Sequence, residues 1–295
     1  MSINIYSSPK EVITENPILF YQYGYLTSQA YCNFIAFSDE NFFIAFDQID
    51  NVAISIPRSP FGSIFYRYEG IGAEGFIEAF TDQLRNKGIE KIQITHPSEI
   101  YARFVSVSTL VKSGFDQIYS DINQHIPLDL NWEDSIHKMQ KRKLESLIND
   151  GFEFRKMERS ELETAHKFLT VCRQAQGLQI NISWEQLKKS SDELPEKYEC
   201  FGVFRDSKIS ALCIAVNVSS EVAYYYLPGT SPMFRNQSPM VMLIAGMIRY
   251  YRERGFKYLD LGVSSIEGKS QEPLKIFKER MGGIESKKPT FLKQI

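Results

Sequence analysis

Four landmarks recur along the chain at an almost constant separation. Arg85 and Gly88 return as Arg252 and Gly255, 167 positions on; Arg67 returns as Arg235 and Gly114 as Gly282, each 168 positions on. Residues 84–94 line up with 251–261, and each stretch reads as a helix closed by a glycine and followed at once by a strand. A single match of this kind is chance, whereas one offset shared by four landmarks marks a duplicated unit. A length of 295 residues holds two domains at roughly 150 residues each. The expected boundary falls near Gly151, after an amphipathic helix over 133–149, and gives domains 1–150 and 151–295.

Strands and helices alternate in both halves. In the first, residues 42–47, 51–57 and 61–67 are rich in Phe, Ile and Val with turn residues between them, and predict strands. A helix over 73–87 carries Phe76, Ile77, Phe80 and Leu84 on one face. A short strand over 90–95, a helix over 101–113 and a strand over 117–126 follow, the last with Ile118, Ile122 and Ile126 on one side. In the second half, Ser160 with Glu163 and Ser183 with Gln186 have capping-box spacing and open helices. Strands are expected over 200–204, 209–216 and 222–227. Ser238 reads as an N-cap with Pro239 at the first helical position. The helix it opens, 239–254, is apolar on nearly every side and so is expected to be buried; a strand over 258–261 follows. The fold class is α/β with mixed sheets.

Composition narrows the function. Hydrophobic residues make up 43% and charged residues 24%, as in a globular chain with a real core. Lys plus Arg is 34 and Asp plus Glu 36, a net charge of −2, which argues against a protein that coats duplex DNA. No apolar run approaches the roughly 18 residues needed to span a bilayer. Residues 1–6 lack the basic and apolar regions of a secretory signal. Cys32, Cys172, Cys200 and Cys213 are scattered without a C-x-x-C pair, and the four histidines have no metal-ligand spacing. The expectation is a reduced, cytoplasmic protein with no metal site.

Within each half the order is strands, a long helix opening on an arginine-bearing loop, a strand, a helix and a last strand. This resembles the GNAT acyltransferase fold, where the loop before the long helix offers backbone N–H groups to a donor pyrophosphate. The closing pattern Tyr258-Leu-Asp-Leu-Gly262, then Phe277-Lys278, then Gly282-Gly283, resembles the carboxy-terminal signature of the FemAB family. Residues 94–101 (Ile-Thr-His-Pro-Ser-Glu-Ile-Tyr) and 59–62 (Ser-Pro-Phe-Gly) resemble first-domain features of the wider FemAB-like group. The resemblance implies two tandem GNAT-like domains and transfer of aminoacyl groups to peptidoglycan precursors. Two departures stand out. No paired-helix arm is visible. The GNAT donor loop, Q/R-x-x-G-x-G/A, reads Arg235-Asn-Gln-Ser238-Pro239-Met240 in the second half, where Pro239 removes an N–H donor and Met240 adds bulk. In the first half Arg67-Tyr-Glu-Gly70-Ile-Gly72 matches in full, with Glu69 placing a negative charge beside any phosphate. The competing reading of Gly70 and Gly72 is a turn entering a helix.

Acyl transfer to an amine needs a placed donor carbonyl, donors for the oxyanion and a route for the amine proton. By resemblance, Phe277 and Lys278 lie in the acceptor and transition-state region, with Lys278 pairing a phosphate; otherwise Phe277 is core and Lys278 a solvated helix residue. Tyr224 and Tyr226 share one face of their strand and Tyr225 takes the other. A hydroxyl there, Tyr226 above all, can act as a general acid, against the alternative of ordinary packing. Asp260 is a candidate base or, more simply, a turn cap. Arg235 and Ser238 in the second half, and Gly70 and Gly72 in the first, are the donor-loop candidates. Lys138, Lys141, Arg142 and Lys143 form a basic stripe for the phosphates of a tRNA or nucleotide-linked precursor, or a solvated face.

The reading is therefore an N-acyltransferase whose donor is an aminoacyl-tRNA by the FemAB resemblance or an acyl-CoA, as co-substrate, by the GNAT one. No tightly bound cofactor is expected. The acceptor is an amine on a small molecule or a cell-wall precursor. The rival is a non-catalytic binding protein that retains the duplicated fold.

Overall fold

In the computed structural model, which describes residues 3–12, 16–56, 59–129 and 131–295, the chain folds into two compact units. Unit 1 comprises Met1–Ile122, Ser265–Ser270 and Ser286–Ile295; unit 2 comprises Asn123–Ser264 and Gln271–Glu285. In chain order the first half supplies β1 (Asn4–Tyr6), α1 (Tyr23–Ser28), β2 (Phe34–Ser38), β3 (Phe42–Ile49), β4 (Val52–Ser55), β5 (Phe65–Tyr66), α2 (Ala73–Asn86), β6 (Lys91–Thr95), α3 (Val107–Lys112) and β7 (Asp116–Pro127). Then come α4 (Trp132–Ser135), α5 (Lys138–Asn149), β8 (Glu153–Met157), α6 (Leu162–Gln174), α7 (Trp184–Glu193), β9 (Tyr198–Arg205), β10 (Lys208–Asn217) and β11 (Val222–Thr230). The chain closes with α8 (Met240–Glu253), β12 (Tyr258–Val263), β13 (Ser265–Ile266), β14 (Lys269–Ser270), α9 (Glu272–Arg280) and β15 (Ile284–Gln294).

The duplication is visible in the strand order. Unit 1 runs β1-β2-β3-β4-β6-β15, antiparallel except for the parallel pair β4–β6. Unit 2 runs β8-β9-β10-β11-β12-β7, antiparallel except for the parallel pair β11–β12. The last strand of each set comes from the other half of the sequence. Residues 290–294 of β15 pair with β6, and residues 123–127 of β7 pair with β12. α2 and α8 are both 14 residues long and start 167 positions apart.

All four glycine landmarks do the same job. Gly88, Gly255, Gly114 and Gly282 have φ of +79°, +77°, +86° and +91°, the left-handed region open to glycine at little cost. Each follows a helix whose third-last carbonyl accepts the amide after the glycine: Ile89 to Leu84, Phe256 to Tyr251, Phe115 to Leu110 and Gly283 to Lys278. That is a Schellman cap, which satisfies the orphan carbonyls of the last turn.

Each unit has its own core. In unit 1 the apolar face of α2 (Phe76, Phe80, Leu84) packs on Phe37 and Phe46, with Phe37 and Phe80 stacked at 5.8 Å. In unit 2 α8 is buried at Val241–Ala245, Met247, Ile248 and Tyr251, as its all-round apolar sequence predicts.

Local readings shifted in four places. Only Phe65–Tyr66 of 61–67 is strand, because Gly62 instead bridges Thr95. The helix expected over 101–113 starts at Val107, where the Ser106 hydroxyl accepts the Thr109 amide. The helix expected over 133–149 is two: α4 ends at Ser135, and His137 caps α5 by accepting the Met139 amide at 3.2 Å. The capping box expected at Ser160 and Glu163 lies at Glu158 and Glu161, while the Ser183–Gln186 box forms as expected. Unit 2 also begins 28 residues before the expected boundary, since β7 from Asn123 on, α4 and α5 belong to it.

Candidate functional site

In unit 2 the parallel pair β11–β12 parts early. The strands share three register pairs, Val222–Tyr258, Ala223–Leu259 and Tyr224–Asp260, although β11 continues to Thr230 and β12 to Val263. Beyond that point β11 follows β10, and β12 follows β7 through a register shift between Asp260 and Gly262. A gap therefore opens in the sheet beside Tyr224. β4 and β6 of unit 1 part in the same way after Ile54–Gln93, but there the chain fills the gap itself. The Gly62 amide donates to the Thr95 carbonyl at 2.9 Å, and a Cβ on Gly62 would stand 3.1 Å from the Ile56 nitrogen. Phe61 packs its ring on Phe20, Tyr101 and Phe104 behind this plug. No isolated bridge of that kind spans β11 and β12 among the described residues.

The gap's wall in unit 2 is fixed by buried polar contacts. Gly262 turns the strand with φ +73°, and a Cβ there would come within 3.0 Å of the Tyr224 hydroxyl. The Asp260 carboxylate, 2% exposed, accepts the Gly262 amide at 2.8 Å and the Asn123 side-chain amide at 2.9 Å. Asp260 thus caps the turn, the plainer of its two sequence readings. Lys278 is 4% exposed and donates to the carbonyls of Gly262 at 2.9 Å and Val263 at 2.8 Å. Of the two readings of Lys278, the solvated helix residue is not what the fold presents: its ammonium is buried against the strand end. The following loop is tied by Ser264, whose hydroxyl donates to Gln124 at 2.6 Å, while Gln271 donates its amide to the Ser264 carbonyl at 2.8 Å. Phe277 is half-buried against the unit 2 core.

The three tyrosines alternate as the strand requires. Tyr224 and Tyr226 lie 6.1 Å apart on one face, and Tyr225 turns its hydroxyl to the Met240 sulfur on the other. Burial first, and then the nearby Asp260 charge, hold the Tyr224 phenol well above its ordinary value, so it keeps its proton.

The approach to α8 differs from a glycine nest. Residues Pro232–Gln237 form a 3₁₀ helix that buries Phe234. Ser238 is left-handed at φ +59° and Pro239 is the N-cap, so the expected Ser238 cap does not form. The Ser238 hydroxyl instead accepts from Lys143 at 3.1 Å. Arg235 is exposed, and its charge reaches the buried Cys172 thiol, which burial pushes up to about 11. Lys141 and Arg142 project from α5 into solvent. In unit 1, Gly72 is the left-handed N-cap of α2, and Gly70 lies where a Cβ would meet the Tyr66 ring at 3.2 Å. Thus Tyr224, Tyr226, Phe277 and Lys278 belong to the parted strands and the segment that braces them. Lys141, Arg142, Arg235 and Ser238 belong to α5 and the entry to α8. Gly70 and Gly72 belong to unit 1. Sequence reasoning missed Asn123, Gln124 and the Lys143–Ser238 contact. The polar run Asn123-Gln124-His125 inside an apolar strand was the available signal for the first two.

Residues 140–272 match the family model of an acetyltransferase (GNAT) domain. No curated protein matches the chain in sequence. Among solved structures, FemX is similar with a TM-score of 0.65 at 13% identity, covering 89% of this chain and 87% of that one. The L-PGS of Bacillus licheniformis is similar with a TM-score of 0.66 at 13% identity, covering 92% and 86%. The C-terminal domain of a putative lysylphosphatidylglycerol synthetase from Agrobacterium fabrum is similar with a TM-score of 0.63 at 14% identity, covering 86% and 81%. At these identities the likeness is one of fold, and the fold is the tandem GNAT-like arrangement that FemX shares.

Proposed function

We propose that the chain is an N-acyltransferase that moves an acyl or aminoacyl group from an activated donor to an amine, with transfer in the parted strands of unit 2. The observation that carries this is the gap between β11 and β12 beside Tyr224, set against its plugged counterpart in unit 1. The match to a GNAT domain falls on the same unit except for residues 265–270. A donor carbonyl in the gap meets strand edges whose N–H groups the ladder leaves unused, a fixed set of donors for a developing oxyanion. The amine attacks the carbonyl carbon, the new C–N bond forms, and the donor's C–O or C–S bond breaks as the tetrahedral centre collapses. The Tyr224 hydroxyl gives its proton to the leaving atom and takes back, through water, the proton released by the amine, so the phenol ends neutral as it began. Lys278 acts by position, holding the carbonyls of Gly262 and Val263 so that the β12 wall stays open.

An aminoacyl-tRNA is the proposed donor. Pro239 at the N-cap, left-handed Ser238 and its occupied hydroxyl leave a poor cradle for the pyrophosphate of an acyl-CoA. Lys141 and Arg142 have no side-chain partner among the described residues and suit phosphates. The acceptor is an amine on a small molecule or a cell-wall precursor.

The test offers the full chain labelled aminoacyl-tRNA or acetyl-CoA, with amine acceptors present. The reading expects transfer from the tRNA, and Tyr224→Phe should lower kcat by about a hundredfold. Transfer from acetyl-CoA alone would move the donor assignment to acyl-CoA. Absence of transfer from either donor to any amine would leave the binding-protein reading in its place.

A further inference from the structure

Unit 2 holds a groove of about 390 Å³ between α5, α8 and the start of β8, within the roughly 300–1,000 Å³ of small-molecule sites. Its lining is mostly apolar: Leu144 and Ile148 from α5, Met242 and Ala245 from α8, with Phe152 and Phe154 beside them. Ile148 is 57% exposed, so this apolar surface meets water. The walls are fixed by contacts behind them. Phe154 lies against the α8 backbone at Gly246, where a Cβ would collide with its ring, and it stacks on Phe201 at 5.8 Å. Tyr250 is held by its hydroxyl, which donates to Glu199 and accepts from Lys156 at 2.8 Å. Tyr224, Asp260, Gly262 and Lys278 do not line this groove, so it is a separate place from the parted strands.

The lining carries two charged side chains, Arg249 and Glu253, and both are exposed, so a ligand in the groove reaches them. Four residues apart on α8, they are neighbours on one helix face with about 5–6 Å between their Cβ atoms. Neither makes an ion pair or side-chain hydrogen bond among the described residues, and Arg ahead of Glu is the weaker order for such a pair. The charge of Glu133 also reaches Arg249, but Glu133 is bonded to Arg252 at 3.3 Å. A guanidinium fork is matched by a carboxylate, and a carboxylate by an ammonium. An apolar floor with one charge of each sign at its edge complements a ligand with an apolar body and both charges on one carbon. We propose that this groove binds an α-amino acid with a large apolar side chain, as its zwitterion. The side chain lies among Phe152, Phe154 and Met242, the carboxylate at Arg249 and the ammonium at Glu253. The site does not rest on the transfer reading for the parted strands.

Isothermal titration calorimetry of the full chain with L-leucine, L-phenylalanine and L-tryptophan tests this without any turnover. At least one should bind with a Kd of about 1 mM or tighter. Glycine, which has both charges and no apolar body, should bind at least about tenfold more weakly. So should 3-phenylpropionate and phenethylamine, which carry one charged end each. Arg249→Met and Glu253→Gln should each weaken the amino acid by about tenfold or more, and as both positions are exposed, both variants should fold. No heat from any of the three amino acids at about 10 mM would overturn the proposal, as would binding that neither variant changes. A chain that sediments as a dimer and becomes a monomer on Ile148→Asp would give the groove to a second copy and overturn it as well.

Discussion

Lys278 shows what a single side chain can hide from its sequence. It follows Phe277 on a short helix rich in Lys, Glu and Arg, where an exposed lysine is the ordinary expectation. Periodicity places a residue on a helix face, but it does not say which carbonyls that face will meet. In the fold its ammonium serves two buried carbonyls. Lys278→Met should therefore destabilise the protein by about 2–4 kcal/mol in urea unfolding, since two acceptors lose a charged donor; an exposed lysine would cost under about 0.5 kcal/mol. Gly262→Ala should also destabilise, by about 1–2 kcal/mol, because φ +73° and a Tyr224 hydroxyl 3.0 Å away both oppose a Cβ. The tyrosine alternation, by contrast, was legible, because side-chain direction in a strand follows from counting.

Among elements, helix ends were the most legible feature, since a glycine after an apolar-periodic run needs only local geometry to act as a cap. The capping box at Glu158 and Glu161 was misplaced because the sequence offers two overlapping candidates and the winner depends on a third side chain, Arg155, from the preceding strand. Arg155 donates twice to Glu161, at 2.8 and 2.9 Å, and Glu161 also accepts the Glu158 amide at 2.8 Å. The Arg155 guanidinium first, and then that amide, lower the Glu161 carboxyl from 4.5 to about 2. A carboxyl depressed on folding stabilises above its ordinary value and loses that contribution as the pH falls through the folded one. The stability difference between wild type and Glu161→Gln should thus be constant from pH 7 to about 5 and shrink from there toward pH 2. Urea unfolding across that range checks it; a difference unchanged at pH 3 would refute it. On α5, neutralising Lys141 and Arg142 together should weaken tRNA binding and reduce the slope of log K against log salt by about 1.5, read by filter binding.

At the scale of the whole molecule, the duplication was legible and the exchange of last strands was not. Patterning identifies β7 and β15 as strands, but a strand's partner is set by long-range register that local sequence does not encode. The exchange explains why the expected boundary at 150 misplaces both ends of the chain. It also predicts that removing residues 286–295, at the end of the second half, will damage unit 1. Without Phe291 and its pairing to β6, amides of Ile92–Thr95 should lose protection by about tenfold or more in hydrogen exchange, while those of α8 keep theirs. Two GNAT-like units raise the question of which one works. β11 and β12 part after Tyr224–Asp260 with no isolated bridge between them among the described residues, whereas Gly62 bridges to Thr95 where β4 and β6 part. A crystal structure of the chain with a stable 3′-aminoacyl-adenosine analogue tests this most directly. The account predicts the acyl carbon between β11 and β12, within reach of the Tyr224 hydroxyl and beside Gly262. An analogue seated between β4 and β6, with Gly62 displaced from Thr95, would contradict it.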